Sequence, residues 1–377
     1  MTSQMVPLSS DPRRSFGAIL GGRALILLAL ALIAGVISLL LELTHGNPTF
    51  TFVASAVALA GLAGLVGEGT EQLGHRFGPG LTGVLQSALG NLPELFIGIF
   101  SLRAGLVLVV QSALIGSILA NSLLVLGLAF VVGGLRHGVQ SFGVRPVRMV
   151  ATLLVLAVAA LAIPTLATMP GAPDAGHATD LSVIVAIVLL ILFAASIPFS
   201  IAGGPGASSL GTELALGEVW PLRLAVAVLL VAAVASAFVS DWFVDSLRPA
   251  LASLGISEAF AGLVIVAIAG NAVENVAGVQ AALRNKADLA VSLVLNSSLQ
   301  VALALIPALV LISVVIGGPA LTLVASPLLV GAVSLSVFLC ALVVFDGQST
   351  WLEGLALIAL YVIIAASVWF GPPIQAQ

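Results

Sequence analysis

Long apolar segments, separated by short polar breaks, run along almost the whole chain. A helix of about 20 apolar residues is long enough to cross the hydrocarbon core of a bilayer. Reading the breaks from Gly, Pro and charged residues predicts an all-α polytopic membrane protein with about eleven transmembrane helices. The predicted spans are residues 24–43, 50–73, 81–102, 105–133, 148–170, 181–203, 221–247, 257–283, 287–316, 320–345 and 351–371.

The distribution of Lys and Arg predicts the orientation. Cytoplasmic loops of membrane proteins carry an excess of these residues. With the N-terminus in the cytoplasm, ten of them fall on the cytoplasmic side, and only Arg103 and Arg248 fall outside. We therefore expect an integral protein of a bacterial inner (plasma) membrane, with a cytoplasmic N-terminus and an odd number of spans.

An odd span count suggests one leading helix followed by two inverted five-helix repeats, a construction common among secondary transporters. The N-terminal tail and leading helix occupy residues 1–49, and the first repeat occupies 50–203. A Gly-rich polar segment at 204–220 predicts a cytoplasmic linker. The second repeat then occupies 221–377.

Composition excludes several classes of protein. The chain is 60% hydrophobic and 7% charged, whereas about a quarter of the residues of a soluble domain are charged. Basic residues are few and scattered, so nucleic-acid binding is not expected. The expected partners are the transported ions and membrane lipid, no cofactor is expected, and a homo-oligomer is left open.

One motif occurs twice, 180 residues apart, inside apolar segments: Gly-Asn-Leu-Pro-Glu at 90–94 and Gly-Asn-Ala-Val-Glu at 270–274. A carboxylate within a membrane span is costly and usually faces a polar cavity with a function. Two such carboxylates in two inverted repeats predict one ion site at the interface between the repeats. The structural alternative is a pair of interhelical hydrogen bonds.

The chemistry offered by these motifs is entirely oxygen. Asn91 and Glu94 lie three residues apart on one helix face, as do Asn271 and Glu274. Pro93 predicts a kink that frees backbone carbonyls near Asn91 and Gly90. Hard cations such as Ca²⁺ take six to eight oxygen ligands, so Glu94 and Glu274 are the candidate metal ligands.

Two further polar layers accompany the motifs. Ser117 and Asn121 follow the first copy, and Asn296 and Gln300 follow the second, where they either complete the ion shell or join helices by hydrogen bonds. Acidic pairs precede each copy, and they either attract cations at the two mouths, relay protons, or are simply solvated helix ends. These acids are Glu68, Glu71, Asp241 and Asp245.

The motifs at 90–94 and 270–274, with the run 111–127, resemble the cation/proton exchangers of the calcium/cation antiporter superfamily. The resemblance implies Ca²⁺ export in exchange for protons by alternating access, with Glu94 and Glu274 as shared ligands. Asn275 departs from the family pattern, which often has His there. With Pro93, the first motif resembles that of the sodium/calcium exchanger branch of the same superfamily. Na⁺ coupling is therefore the main alternative, followed by Mn²⁺/H⁺ exchange. A channel or an intramembrane enzyme is also conceivable, but no His-Glu-x-x-His motif occurs, and we expect no enzyme.

Overall fold

The structure is a computed structural model that describes residues 16–77, 89–169, 171–172, 176–202, 220–317 and 319–370. These residues are almost entirely helical, apart from two short strands, β1 (Gln140–Ser141) and β2 (Gln348–Ser349). The helices are α1 (Phe16–Leu43), α2 (Pro48–Phe77), α3 (Leu92–Arg103), α4 (Val107–His137), α5 (Val144–Ala167), α6 (Ala178–Ala202), α7 (Leu222–Leu254), α8 (Glu258–Gly270), α9 (Ala272–Leu283), α10 (Ala287–Ile316), α11 (Pro327–Val343) and α12 (Trp351–Trp369).

Eight helices of the described residues are long and apolar enough to cross a membrane: α1, α2, α4, α5, α6, α7, α10 and α12. The pair α8–α9 makes a ninth candidate, bent by 64°. The helix α11 is apolar but shorter. This confirms a helical membrane protein, whereas the count of eleven spans and the inverted repeats stay predictions. The predicted linker 204–220 lies outside the described residues except for Trp220.

Three of the predicted spans differ from the observed helices. The span 257–283 is two helices, because the helix is interrupted at Asn271. The span 81–102 is described only from residue 89, and its helix begins at Leu92 after an equivalent break. The span 320–345 becomes helical only at Pro327, because the irregular residues before it form hydrogen bonds with other helices. There the Thr165 hydroxyl donates to the Leu323 carbonyl at 3.1 Å.

Polar contacts gather several loops at one end of the helices. β1 in the α4–α5 loop pairs antiparallel with β2, which precedes α12. The Gly143 amide in the same loop donates to Asp288 Oδ1, close to the α9–α10 loop. The predicted topology also places these three loops on one side of the membrane.

A second set of contacts gathers the opposite helix ends. The hydroxyls of Thr49, at the start of α2, and Ser253, at the end of α7, are 3.1 Å apart. The Ser257 hydroxyl, preceding α8, donates to the Val368 carbonyl at the end of α12 at 2.8 Å. These two contacts join the start of α2 to the end of α7 and the start of α8 to the end of α12.

Small residues let the central helices approach each other closely. The backbone of Gly116 in α4 lies against Leu263 in α8, and a Cβ on Gly262 would lie 2.7 Å from Ser112 Cβ. The long helices α2 and α7 pack along one another, where Phe52 stacks on Phe243 with ring centroids 4.9 Å apart. This packing brings α3, α4, α8, α9 and α10 around the duplicated motif.

Candidate cation site

The two copies of the motif fold into two equivalent helix breaks. Asn91 precedes α3 with φ −95° and ψ 20°, and Asn271 precedes α9 with φ −95° and ψ 17°. Glu94 and Glu274 therefore lie in the first turns of two helices. The positive end of a helix dipole stabilises a nearby negative charge, so the start of α3 favours the ionised form of Glu94 and the start of α9 that of Glu274.

Glu94 packs against the opposite motif, because a Cβ on Gly270 would lie 2.8 Å from Glu94 Cγ. Oε2 of Glu94 and Oε2 of Glu274 are buried, and neither forms a hydrogen bond with any described residue. A buried polar atom without a partner is expensive, so each of these oxygens is available to a ligand.

Amides and hydroxyls from neighbouring helices form hydrogen bonds around the break at Asn271. Asn271 Nδ2 donates to Ser117 Oγ at 2.8 Å and to the Ala267 carbonyl at 2.9 Å. Asn121 Nδ2 donates to Ser297 Oγ at 3.0 Å and to Asn271 Oδ1 at 3.4 Å. The structure thus brings Asn271, Ser117 and Asn121 together, as the sequence predicts.

Ser297 is the member of this network that the sequence reading did not select. The signal was present, since Ser297 lies 180 residues after Ser117. The neighbouring candidate Asn296 instead donates to the carbonyl of Ser292 in its own helix at 2.7 Å. Gln300 is half-buried, one turn after Asn296 in α10. Asn91 is buried, three residues before Glu94. Their roles as ligands stay predictions.

The expectation of a free carbonyl is wrong for Asn91, whereas for Gly90 it stays a prediction. Pro93 lies at the start of α3, where a missing amide hydrogen costs nothing, and the helix begins normally. The Asn91 carbonyl accepts from the Leu95 amide at 2.9 Å, and the Asn271 carbonyl accepts from the Asn275 amide at 2.9 Å. Irregular backbone occurs instead in π-helical turns at Ala120–Val125 in α4 and Val301–Leu305 in α10. Such turns are frequent at functional sites.

The four predicted mouth acids lie outside the network. Glu68 Oε2 is 3.8 Å from Arg23 Nε of α1, and Glu71 is half-buried one turn further along α2. Asp241 and Asp245 are exposed on α7. No hydrogen bond among the described residues joins any of these acids to the Asn–Ser network.

The described residues contain no group of three or more His, Cys, Asp or Glu side chains that could hold a metal ion. A cation at the breaks would therefore be held by two carboxylates and by neutral oxygens. Carboxylate and carbonyl oxygens suit Mg²⁺, Ca²⁺ or Mn²⁺, whereas soft thiolate ligands are missing from the network.

Comparison with known protein families adds to this geometry. The model of the family described as "Sodium/calcium exchanger protein" matches residues 47–202 and 224–370, which is most of the chain. The chain belongs to the sodium/calcium exchanger protein family. The two matched segments of this exchanger each contain one copy of the Gly-Asn-x-x-Glu motif.

Curated relatives cover nearly the whole exchanger. The "Ca(2+)/H(+) antiporter" of Aphanothece halophytica is 34% identical, over 89% of this chain and 94% of the relative. The "Ca(2+)/H(+) antiporter ChaA" of Bacillus subtilis is also 34% identical, over 88% of this chain and 95% of the relative. Both names describe calcium/proton exchange.

Solved structures share the fold. The structure of native YfkE matches with a TM-score of 0.78 and 31% identity, over 91% of this chain and 99% of that one. The sodium-calcium exchanger NCX_Mj matches with a TM-score of 0.53 at 21% identity, over 90% of this chain and 98% of that one. At that identity the second match shows the fold alone.

Proposed function

We propose that this exchanger is a Ca²⁺/H⁺ antiporter that exports Ca²⁺ from the cytoplasm in exchange for protons. The observation that carries the proposal is the pair of buried, unpartnered carboxylate oxygens of Glu94 and Glu274 at two equivalent helix breaks. The curated relatives named Ca²⁺/H⁺ antiporters support the choice of ions.

Coupling follows from the use of the same oxygens by both ions. Two carboxylates held close together in a poorly hydrated site cannot both stay ionised without a compensating cation or proton. Ca²⁺ binding displaces the protons, and protonation releases Ca²⁺. Because the two ions exclude each other from one site, the exchanger carries one or the other across the membrane, which is antiport.

Neutral oxygens complete the ion shell in this proposal. Two carboxylates supply at most four ligand atoms, and Ca²⁺ takes six to eight. We assign the remainder to the amides and hydroxyls near the breaks, which are Asn91, Asn271, Ser117, Asn121, Asn296 and Gln300. Their positions on four different helices allow the shell to change when helices move against each other.

Alternating access needs a site that opens to one face at a time. The proposed arrangement is a leading helix and two inverted five-helix repeats in the bacterial inner membrane, with the N-terminus in the cytoplasm. The equivalent breaks at Asn91 and Asn271 support the inverted repeats. Glu68 and Glu71 would face one mouth and Asp241 and Asp245 the other, because α2 begins beside the end of α7.

The decisive experiment measures ⁴⁵Ca²⁺ flux in proteoliposomes that contain the purified protein and carry an imposed pH gradient. We expect a proton gradient to drive Ca²⁺ accumulation and a Na⁺ gradient of the same size to have no effect. Accumulation driven by Na⁺ alone would replace this proposal with sodium/calcium exchange. Competition by Mn²⁺ in the same assay measures the preference between the two divalent ions, since both suit oxygen ligands.

A further inference from the structure

An apolar groove of about 590 Å³ lies between α1, α2 and α7, outside the ion site. On α1 it extends from Leu20 to Leu39, and on α7 from Leu224 to Trp242. At 1.5 Å per residue, either stretch is about 27 Å long, close to the roughly 30 Å hydrocarbon thickness of a bilayer. The groove therefore runs along most of the apolar length of both helices.

The groove has no polar lining, and it is open to the bilayer. Leu32 and Val36, which line it on α1, are exposed. Gly35 lies between them, and a Cβ on Gly35 would meet no atom within 4 Å. An apolar groove of this kind accepts a hydrocarbon chain but offers no partner to a polar ligand.

The two ends of the groove differ in charge. Arg23 lies one turn from Leu20, and Arg223 directly precedes Leu224, so both guanidinium groups lie at the end where α1 and α7 begin. Both arginines are exposed, and no described residue forms an ion pair with Arg223. Among the described residues, the ion pair of Arg23 is the 3.8 Å contact of its Nε with Glu68, and its guanidinium group has five N–H donors in all.

The opposite end of the groove is acidic. Asp241 and Asp245 are exposed on either side of Trp242, the last lining residue on α7. A molecule with an apolar chain and a phosphate would bind in one direction only. Its phosphate would pair with the arginines, because guanidinium binds phosphate strongly through paired hydrogen bonds, and the aspartates would repel it.

We propose that this groove is a phospholipid-binding site, with an acyl chain between α1, α2 and α7 and the phosphate at Arg23 and Arg223. The site is formed by the leading helix α1 together with α2 and α7. It is therefore a specific lipid position, separate from the annular lipid around the protein.

The test counts phospholipid retained by the full-length protein. The protein is purified in detergent, loaded with phosphatidylglycerol, washed, and examined by native mass spectrometry. Gly35→Leu places a bulky apolar side chain in the groove, at a position where a Cβ meets no atom within 4 Å. Gly331→Leu is its control, because Gly331 is exposed on α11 and a Cβ there also meets no atom within 4 Å. The double variant Arg23→Gln/Arg223→Gln removes the phosphate partners, and Arg145→Gln, an exposed arginine on α5, is its control.

We expect one tightly held phosphatidylglycerol in the wild type and in both controls, and its loss in Gly35→Leu. The double arginine variant should bind it at least about tenfold more weakly, as the loss of charge-assisted hydrogen bonds predicts. Equal retention by the wild type and Gly35→Leu would overturn the proposal. Unchanged affinity in the arginine variant would overturn the phosphate assignment. A change in the mass of the oligomer instead of the lipid count would identify the groove as a protein interface and contradict the lipid site.

Discussion

Glu94 and Glu274 are the two acidic residues of the site. Each has a buried carboxyl oxygen with no partner among the described residues. Replacing either residue with Gln keeps the size and one oxygen but removes the charge and the exchangeable proton. We expect Glu94→Gln and Glu274→Gln each to abolish Ca²⁺/H⁺ exchange while the protein still inserts in the membrane.

Flux in proteoliposomes measures this prediction, with the insertion of each variant checked by its yield in the membrane fraction. Asp180→Asn is the control, because Asp180 is exposed and, among the described residues, its ion pair is with His177 at the surface. A near wild-type rate in either Gln variant at saturating Ca²⁺ would exclude the shared-ligand mechanism.

Two serines of α4 separate site chemistry from helix structure. Ser117 Oγ accepts from Asn271 Nδ2 at 2.8 Å, whereas Ser122 Oγ donates to the Ile118 carbonyl of its own helix at 2.6 Å. We expect Ser117→Ala to weaken Ca²⁺ binding about five- to tenfold, equivalent to about 1–1.5 kcal/mol, with little change in pH dependence, because a hydroxyl does not titrate. Binding isotherms at several pH values test this. Equal effects of Ser117→Ala and Ser122→Ala would mean that the network does not support the ion.

At this scale the sequence predicted which polar residues lie near the two helix breaks, but it did not predict every member of the hydrogen-bond network. Glu94, Glu274, Asn271, Ser117 and Asn121 were predictable because a polar residue within an apolar span needs a reason. Asn296 was predicted in place of Ser297 because of its residue type. The direction of each side chain, however, depends on its rotational position around the helix, and a π-helical turn begins only a few residues later in α10.

The helices of the site meet at close backbone contacts. Gly262 of α8 lies against α4, where an added Cβ would lie 2.7 Å from Ser112 Cβ and 2.9 Å from the Ala113 amide nitrogen. We expect Gly262→Ala to destabilise the protein by about 1–3 kcal/mol, because backbone must shift to make room.

Thermal unfolding of the purified protein measures this change as a lowered Tm. Gly331→Ala is the matched control, since a Cβ there meets no atom within 4 Å. An unchanged Tm in Gly262→Ala would show that α4 and α8 are not packed as closely as described.

Apolar patterning predicted most helices but not their irregularities. The π-helical turns of α4, α8 and α10 leave no trace in hydrophobicity, because they change the hydrogen-bond partner and not the residue type. The stretch before Pro327 is apolar enough to be read as a span. It is irregular instead, and it forms hydrogen bonds with residues distant in sequence, such as Thr165.

For the whole molecule, the arrangement of the termini tests the predicted topology. With an odd number of spans, reporter fusions at the N-terminus and the C-terminus should report opposite sides of the membrane, with the N-terminus in the cytoplasm. A fusion in the α4–α5 loop should match the N-terminus. Matching reports from the two termini would mean an even span count and would remove the inverted repeat.

Direct competition between protons and Ca²⁺ for one pair of carboxylates is the central claim for this exchanger. Titration calorimetry of Ca²⁺ binding, performed in two buffers that differ in ionisation enthalpy, counts the protons released per ion bound. The mechanism predicts proton release at a pH where exchange operates, and a weaker apparent Ca²⁺ affinity at lower pH with unchanged binding capacity. Ca²⁺ binding without any proton release at that pH would contradict it and would point to a different coupling ion.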